Sequence, residues 1–301
     1  MFIVNNRKFF FALSALLVAG SILSIWTFGF NLGIDFKGGS VLEVSYNAVR
    51  PTLETTRAGL DELGNSINLG NYVLSPSGDL NYVLKTRELN PTEKTMVMSA
   101  FQSDSTNIAK EVRFNSLGPV VGNQLKNKAM VAIVVVLVCI LLFITFAFRK
   151  VSKPVSSFKY ALVTIIALFH DVIIPTGFFV AWTHFNGGEI DLLFVSAILA
   201  ILGYSVHDTI VVFDRVRESL KDGDSNRPFI ETVGNAVVQT LGRSVNTSLT
   251  TFISLAALYF VGGETTKDFA LLLLVGVAVG AYSSVFVASP LLVTLEKLQK
   301  K

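Results

Sequence analysis

Two pairs of adjacent ionisable residues, His170–Asp171 and His207–Asp208, interrupt long apolar runs. A charge near the middle of a bilayer helix costs ~2.5–3.5 kcal/mol on insertion scales, so each pair needs a compensating role. A carboxylate in such a place can take up and release a proton. An imidazole, with an unperturbed pKa of ~6.5, can do so near neutral pH. Ser205 and Thr209 accompany Asp208 at helical spacing and share its face. Further along, Arg243 is followed by Asn246, Thr247, Thr250 and Ser254, a polar stripe down one side of a helix. An arginine at a span's end can snorkel to the headgroups, but the stripe beneath it argues that this face looks into the protein. Two roles fit Asp208 and Arg243. One is a structural ion pair holding two helices together; the other is a titrating site on a proton or cation path, where Asp208 changes partners on protonation. His170, Asp171 and His207 are further candidates for that path, and each can equally be hydrogen-bonded in place.

The elements that carry these residues follow from composition. Of 301 residues, 51% are hydrophobic and only 16% charged, against ~25% in soluble domains, which marks a membrane protein. The formal charge of +3 is too small to argue for nucleic acid. The single cysteine, Cys139, has neither a disulfide partner nor companions for a metal site. No phosphate loop, HExxH or GxSxG motif is present, so neither enzyme activity nor a cofactor is expected. Five stretches, about 9–30, 129–148, 159–183, 190–213 and 269–295, are apolar over the ~20 residues a span needs. A sixth, about 244–262, is rich in Ser and Thr, whose hydroxyls can bond back to the preceding turn. Lysines and arginines cluster at the N-terminus, at 149–159, at 215–227 and at the C-terminus. Only six spans place every cluster on the cytoplasmic side, with both termini inside. The first run is too long for a typical signal peptide and reads as an uncleaved anchor.

Between the first span (1–30) and the bundle of five (128–301) lies a polar insert, 31–127, outside the cytoplasm. Residues 40–46, 71–75, 80–86 and 110–118 read as strands, and helices are expected after Pro51 and Pro91. The order βαββαβ is the ferredoxin-like arrangement. In the cytoplasmic connector, about 214–243, Phe229, Val233, Val237 and Leu241 share one face, which suits either a helix on the inner membrane surface or a plain connector. Asp214, Arg215, Arg217 and Glu218 suit a solvated, salt-bridged helix end. Gly276 and Gly280 form a GxxxG pair that allows close helix packing. Paired Gly38 and Gly39, with Asp35 before them, permit unusual backbone angles where the first span hands over to the first strand, as a hinge or as a fixed joint.

Several stretches together resemble the SecD/SecF family of protein-export subunits, and its SecF branch in particular. They are "GIDFKGGS" (33–40), "LFHDVIIPTG" (168–177), "GYSVHDTIVVFDRVRE" (203–218), "RSVNTSLTT" (243–251) and "GAYSSVFVASPLL" (280–292). The resemblance covers nearly the whole chain in order. It implies membership of the resistance-nodulation-division superfamily in a bacterial inner membrane and pairing with a six-span SecD partner. It also implies assistance to the SecYEG translocon in drawing out unfolded secreted chains, driven by proton or sodium flow. The family's coupling aspartate in span four and arginine in span five fall on Asp208 and Arg243. The sequence departs from the family at His207, usually Asn, and at Ala281, often Thr; the first departure leaves the ion open. Half of a proton-driven exporter of lipid or small hydrophobic molecules is the competing expectation.

Overall fold

The computed structural model describes residues 2–64, 66–102, 107–149, 155–221 and 227–299; Lys150, Lys153, Lys300 and Lys301, members of the basic clusters at 149–159 and the C-terminus, lie outside them. Among the described residues, six helices are long and apolar enough to cross a membrane. They are α1 (Arg7–Phe28), α4 (Pro119–Ala147), α5 (Ser157–Asn186), α6 (Leu192–Lys221), α7 (Phe229–Val261) and the stretch Thr266–Leu298. The last comprises α8 (Glu264–Ser283), one π-helical turn (Ser284–Ala288) and α9 (Ser289–Gln299). In lipid a chain must satisfy its own peptide groups, so apolar runs of this length have no alternative to helix. The chain divides into two compact units, one of residues up to Asn31 and from Val131, the other of residues 32–130.

The second unit is a four-stranded antiparallel sheet with helices. Its elements are β1 (Gly39–Tyr46), α2 (Leu53–Leu63), β2 (Val73–Ser77), β3 (Asn81–Thr86), α3 (Pro91–Phe101) and β4 (Ala109–Leu117), with strand order β2-β3-β1-β4. The register pairs Leu42 with Leu84 and Val44 with Tyr82, so one face of each strand is apolar and closes over Leu60, Val97 and Phe101. A β-bulge interrupts the β1–β4 pairing between Glu43 and Val44. Helix α3 begins in a full capping box: the Asn90 side chain accepts from the Glu93 N–H at 2.9 Å, and Glu93 accepts from the Asn90 N–H at 3.0 Å, with Pro91 in the first turn. Gly38 and Gly39 have φ of 80° and 137°. A side chain on Gly38 would come within 2.8 Å of Pro119 backbone, and one on Gly39 within 2.7 Å of the Thr86 carbonyl. Both glycines are therefore required by angle and by space.

In the helical unit α5 is the most enclosed span, and α4 and α7 are the most open. α1 packs on α5 at Gly177, where a Cβ would lie 2.4 Å from that of Ser21; Ser24 Oγ donates to the Gly177 carbonyl at 2.8 Å. Gly276 and Gly280 make room for Ile201 and Ser205 of α6, so the GxxxG pair packs within the chain. Stacked and edge-on rings of Phe148, Tyr160 and Phe213, with centroids 5.2–6.3 Å apart, tie together the ends of α4, α5 and α6. Residues 229–244 do not form a separate surface helix. They are continuous with the fifth span in one 33-residue helix, and Phe229, Val233 and Val237 are buried against the bundle core. Amphipathicity marks a buried face without saying whether protein or lipid buries it. Asp214 with Arg217, and Arg215 with Glu218, pair at 3.2 and 2.5 Å along the end of α6.

Candidate functional site

Each ionisable pair sits in the middle third of a 30-residue helix, but the two carboxylates are surrounded differently. Asp171 of α5 is fully buried. Its Oδ1 lies 2.8 Å from Nδ1 of His170, and its Oδ2 accepts from Ser205 of α6 and, at 2.6 Å, from Ser283 of α8. Three spans are thus pinned on one carboxyl group. Pro175, one turn on, lacks the N–H that would bond the Asp171 carbonyl, which loosens the α5 ladder at the same level. The π-helical turn follows directly after Ser283. Its first residue, Ser284, shares a hydroxyl hydrogen bond of 2.9 Å with Thr209 of α6. A single π turn re-aims the side chains around it, and here it presents consecutive serines to α5 and α6.

Asp208 of α6 is 2% exposed yet sparsely held. Ser248 Oγ of α7 donates to Oδ2 at a long 3.3 Å, and His207 Nδ1 lies 3.6 Å from Oδ1, beyond hydrogen-bond range. The His207 side chain is 56% exposed, on the outside of the bundle. No direct ion pair joins Asp208 to Arg243 among the described residues, although the guanidinium is near enough to act on Asp208 electrostatically.

The face expected to look inward on α7 is displaced by one position. Arg243, Asn246, Thr250 and Ser254 are exposed, and the buried polar line is Thr240, Ser244 and Ser248. Two polar stripes with the same period run down this helix, and spacing alone cannot choose between them. The hydroxyls of Thr250, Thr251 and Ser254 bond the carbonyls one turn back at 2.8–3.1 Å, as expected for a hydroxyl-rich span. The neighbouring outer stripe of α6 is Ser196, Ala200, Gly203 and His207, all exposed, and nothing lies within 4 Å of a Cβ placed on Gly203. Together these stripes leave an open face, small and polar, that carries His207 and Arg243 over the buried Asp208.

Sequence reasoning missed Ser283 as a partner of Asp171, and it missed the small-residue stripe of α6. The first has no spacing signal, because the contact joins different helices. The second had one, at intervals of four, three and four residues. Asp35 lies in a one-turn helix, Ile34–Lys37, and Gly38 and Gly39 follow it, each crowded by neighbouring backbone. Among the described residues no group of His, Cys, Asp and Glu could hold a metal ion.

The family model described as protein export membrane protein SecD/SecF, C-terminal, matches residues 97–298, and that of the SecD/SecF GG motif matches residues 23–48. The chain is similar to the protein translocase subunit SecF of Thermobaculum terrenum, 40% identical over 98% of this chain and 93% of the relative. The SecF subunit of Sebaldella termitidis is 36% identical over 99% and 92%. Among solved structures, SecDF from Thermus thermophilus, described as a translocon-associated membrane protein, superposes with a TM-score of 0.80 at 32% identity. That match covers 98% of this chain and 38% of the larger SecDF chain.

Proposed function

The chain belongs to the SecD/SecF family of protein export membrane proteins, and we propose that it serves as the SecF half of a SecD–SecF pair that couples proton flow to protein export. The pairing is supported by the 38% share of the SecDF chain that it spans and by the open face of α6 and α7. Transporters built from two related halves place their ion sites at the seam. SecYEG and the unfolded secreted chain are the remaining partners. The bilayer is the bacterial inner membrane, with both termini cytoplasmic and the ferredoxin-like βαββαβ unit on the far side.

The observation that carries the mechanism is the contrast between a buried Asp208 with one long hydrogen bond and an exposed Arg243 on the adjoining helix. A buried carboxylate without an ion pair is costly when charged. Protonation from the open face removes that cost. Loss of the proton calls Arg243 inward or admits a group of the partner half, and α6 and α7 shift to accommodate it. His207, at the exposed edge of the same site, passes or tunes the proton. The motion is passed on through α4, whose residues run from one unit into the other.

Asp208→Asn in inverted membrane vesicles tests the mechanism. Proton-driven completion of translocation is expected to vanish while the ATP-driven step continues, with or without sodium. Normal proton-driven completion in this variant would overturn the role of Asp208.

A further inference from the structure

Charge is unbalanced at the last turn of α4. This helix meets the bundle core through Ile144 and Phe148, both buried, while Leu142, Phe143 and Phe146 stand exposed on its other side. Two guanidinium groups gather on the turn. That of Arg149, just past the end of α4, lies 4.0 Å from the ring centre of Phe146. That of Arg217, from α6, lies 5.8 Å from the ring centre of Phe148, and its Nη1 donates to the Ala147 carbonyl at a long 3.3 Å. Asp214 pairs with Nη2 of Arg217 at 3.2 Å, whereas Arg215 and Glu218 of the same helix end pair with each other. Among the described residues, two cations therefore face one anion at this turn.

Most of their N–H donors are unspent. The Arg149 guanidinium makes no hydrogen bond or ion pair among the described residues. A snorkelling arginine would carry its head away from the apolar surface. Arg149 instead stays against Phe146, and a guanidinium resting on a ring keeps its N–H edges available to a planar or phosphate acceptor.

Position selects the acceptor. The turn closes the apolar run of α4, at the level where hydrocarbon gives way to headgroups. From Arg149 back to Leu142 the exposed Phe146 and Phe143 mark an apolar track of ~10 Å at 1.5 Å per residue. Positive charge at one end of a hydrocarbon track matches a lipid with an anionic head. We propose that the last turn of α4 binds an anionic glycerophospholipid. Its phosphate accepts from Arg149 and from the free N–H groups of Arg217, in charge-assisted bonds that arginine makes two-pronged. One acyl chain lies on Phe146, Phe143 and Leu142. A zwitterionic lipid brings its own ammonium towards the same two guanidinium groups, and like charges repel. The lipid bridges α4, one of the two most open spans, to the helix that carries Asp208. This goes beyond the export role and does not depend on Asp208 titrating.

The test is native mass spectrometry of the purified full chain in detergent, titrated with phosphatidylglycerol and phosphatidylethanolamine of the same acyl chains. Phosphatidylglycerol should bind about tenfold more tightly, the lower end of what a hydrogen bond to a charged group is worth. Arg149→Gln should bring the two lipids close to parity with unchanged thermal stability, because this guanidinium has no hydrogen-bond partner in the protein to lose. Arg149→Lys should keep most of the preference, since an ammonium also binds phosphate as a point charge. Arg113→Gln, on β4, should change nothing. Equal binding of the two lipids in the unaltered chain, or a preference that survives Arg149→Gln, would overturn the proposal. So would displacement of phosphatidylglycerol by inorganic phosphate, which would mean a site for the anion alone.

Discussion

Asp171 and Asp208 occupy equivalent depths in neighbouring spans, each preceded by a histidine, and both are buried. Their surroundings differ. Asp171 is held by three partners on three helices, and Asp208 by one long contact from Ser248. His170 is buried beside its aspartate, whereas His207 stands at the surface, 3.6 Å from its own. A saturated buried carboxyl fixes helices in place, because any movement breaks several bonds at once. A buried carboxyl with spare capacity can exchange partners at low cost. The same dipeptide is therefore saturated in one span and left with spare bonding capacity in the next.

The largest expected effect is on the clamp. Asp171→Ala leaves His170, Ser205 and Ser283 unpaired in the bundle and should cost about 3–5 kcal/mol, the range for removing one member of a buried polar group. Thermal unfolding of the purified chain measures it. Asp208→Asn, by contrast, keeps the shape and loses little bonding, so its stability should stay within about 1 kcal/mol even where coupling is lost. Comparable destabilisation by Asp171→Ala and Asp208→Ala would break the distinction between them.

The donors give a second, smaller comparison. Ser283→Ala removes a 2.6 Å bond to Asp171, and a hydrogen bond to a charged group is worth about 1.5–3 kcal/mol. Ser248→Ala removes a 3.3 Å contact to Asp208 and should cost no more than about 0.5 kcal/mol. Denaturant titration of both variants on one background reads the difference directly. If Ser248→Ala costs as much as Ser283→Ala, Asp208 is not held loosely.

How far this contrast was legible in sequence depends on which contacts are local. The spans follow from run length, and the strands of the 32–130 unit follow from alternation such as Leu42, Val44 and Tyr46, which periodicity exposes. His–Asp adjacency pointed to both pairs. Which pair would be saturated was not readable, because Ser205 and Ser283 lie 34 and 112 positions from Asp171 and meet it only through packing at Gly276 and Gly280. Which face of α7 packs within the chain was not readable for a related reason. Arg243 and Ser244 lie on two polar stripes of the same period, and burial, not periodicity, separates them. The crowding at Gly177 also escaped notice, since a lone glycine in an apolar run gives no hint that Ser21 lies against it.

A third carboxylate, outside the membrane-spanning helices, sharpens the comparison and carries the smallest effect. Glu93 at the start of α3 is as well satisfied as Asp171, but at a surface: Arg87 bonds it through both terminal nitrogens, and the Asn90 N–H donates to it. The guanidinium first, and the Asn90 N–H second, lower its pKa from 4.5 to about 2. Because the folded value is the lower one, the stabilisation is complete above the unfolded value and fades as pH falls from about 4.5 to about 2. Pepsin cleavage within α3 should therefore rise across that window in the unaltered chain. Glu93→Gln should be more susceptible at the upper end of the window and show a flatter dependence through it. The effect should be modest, because exposed ion pairs are worth little and water replaces the lost partners. Asp171 has no such replacement. If acid loosened α3 as abruptly as Asp171→Ala loosens the bundle, saturation alone would set the strength of a clamp, and burial would add nothing.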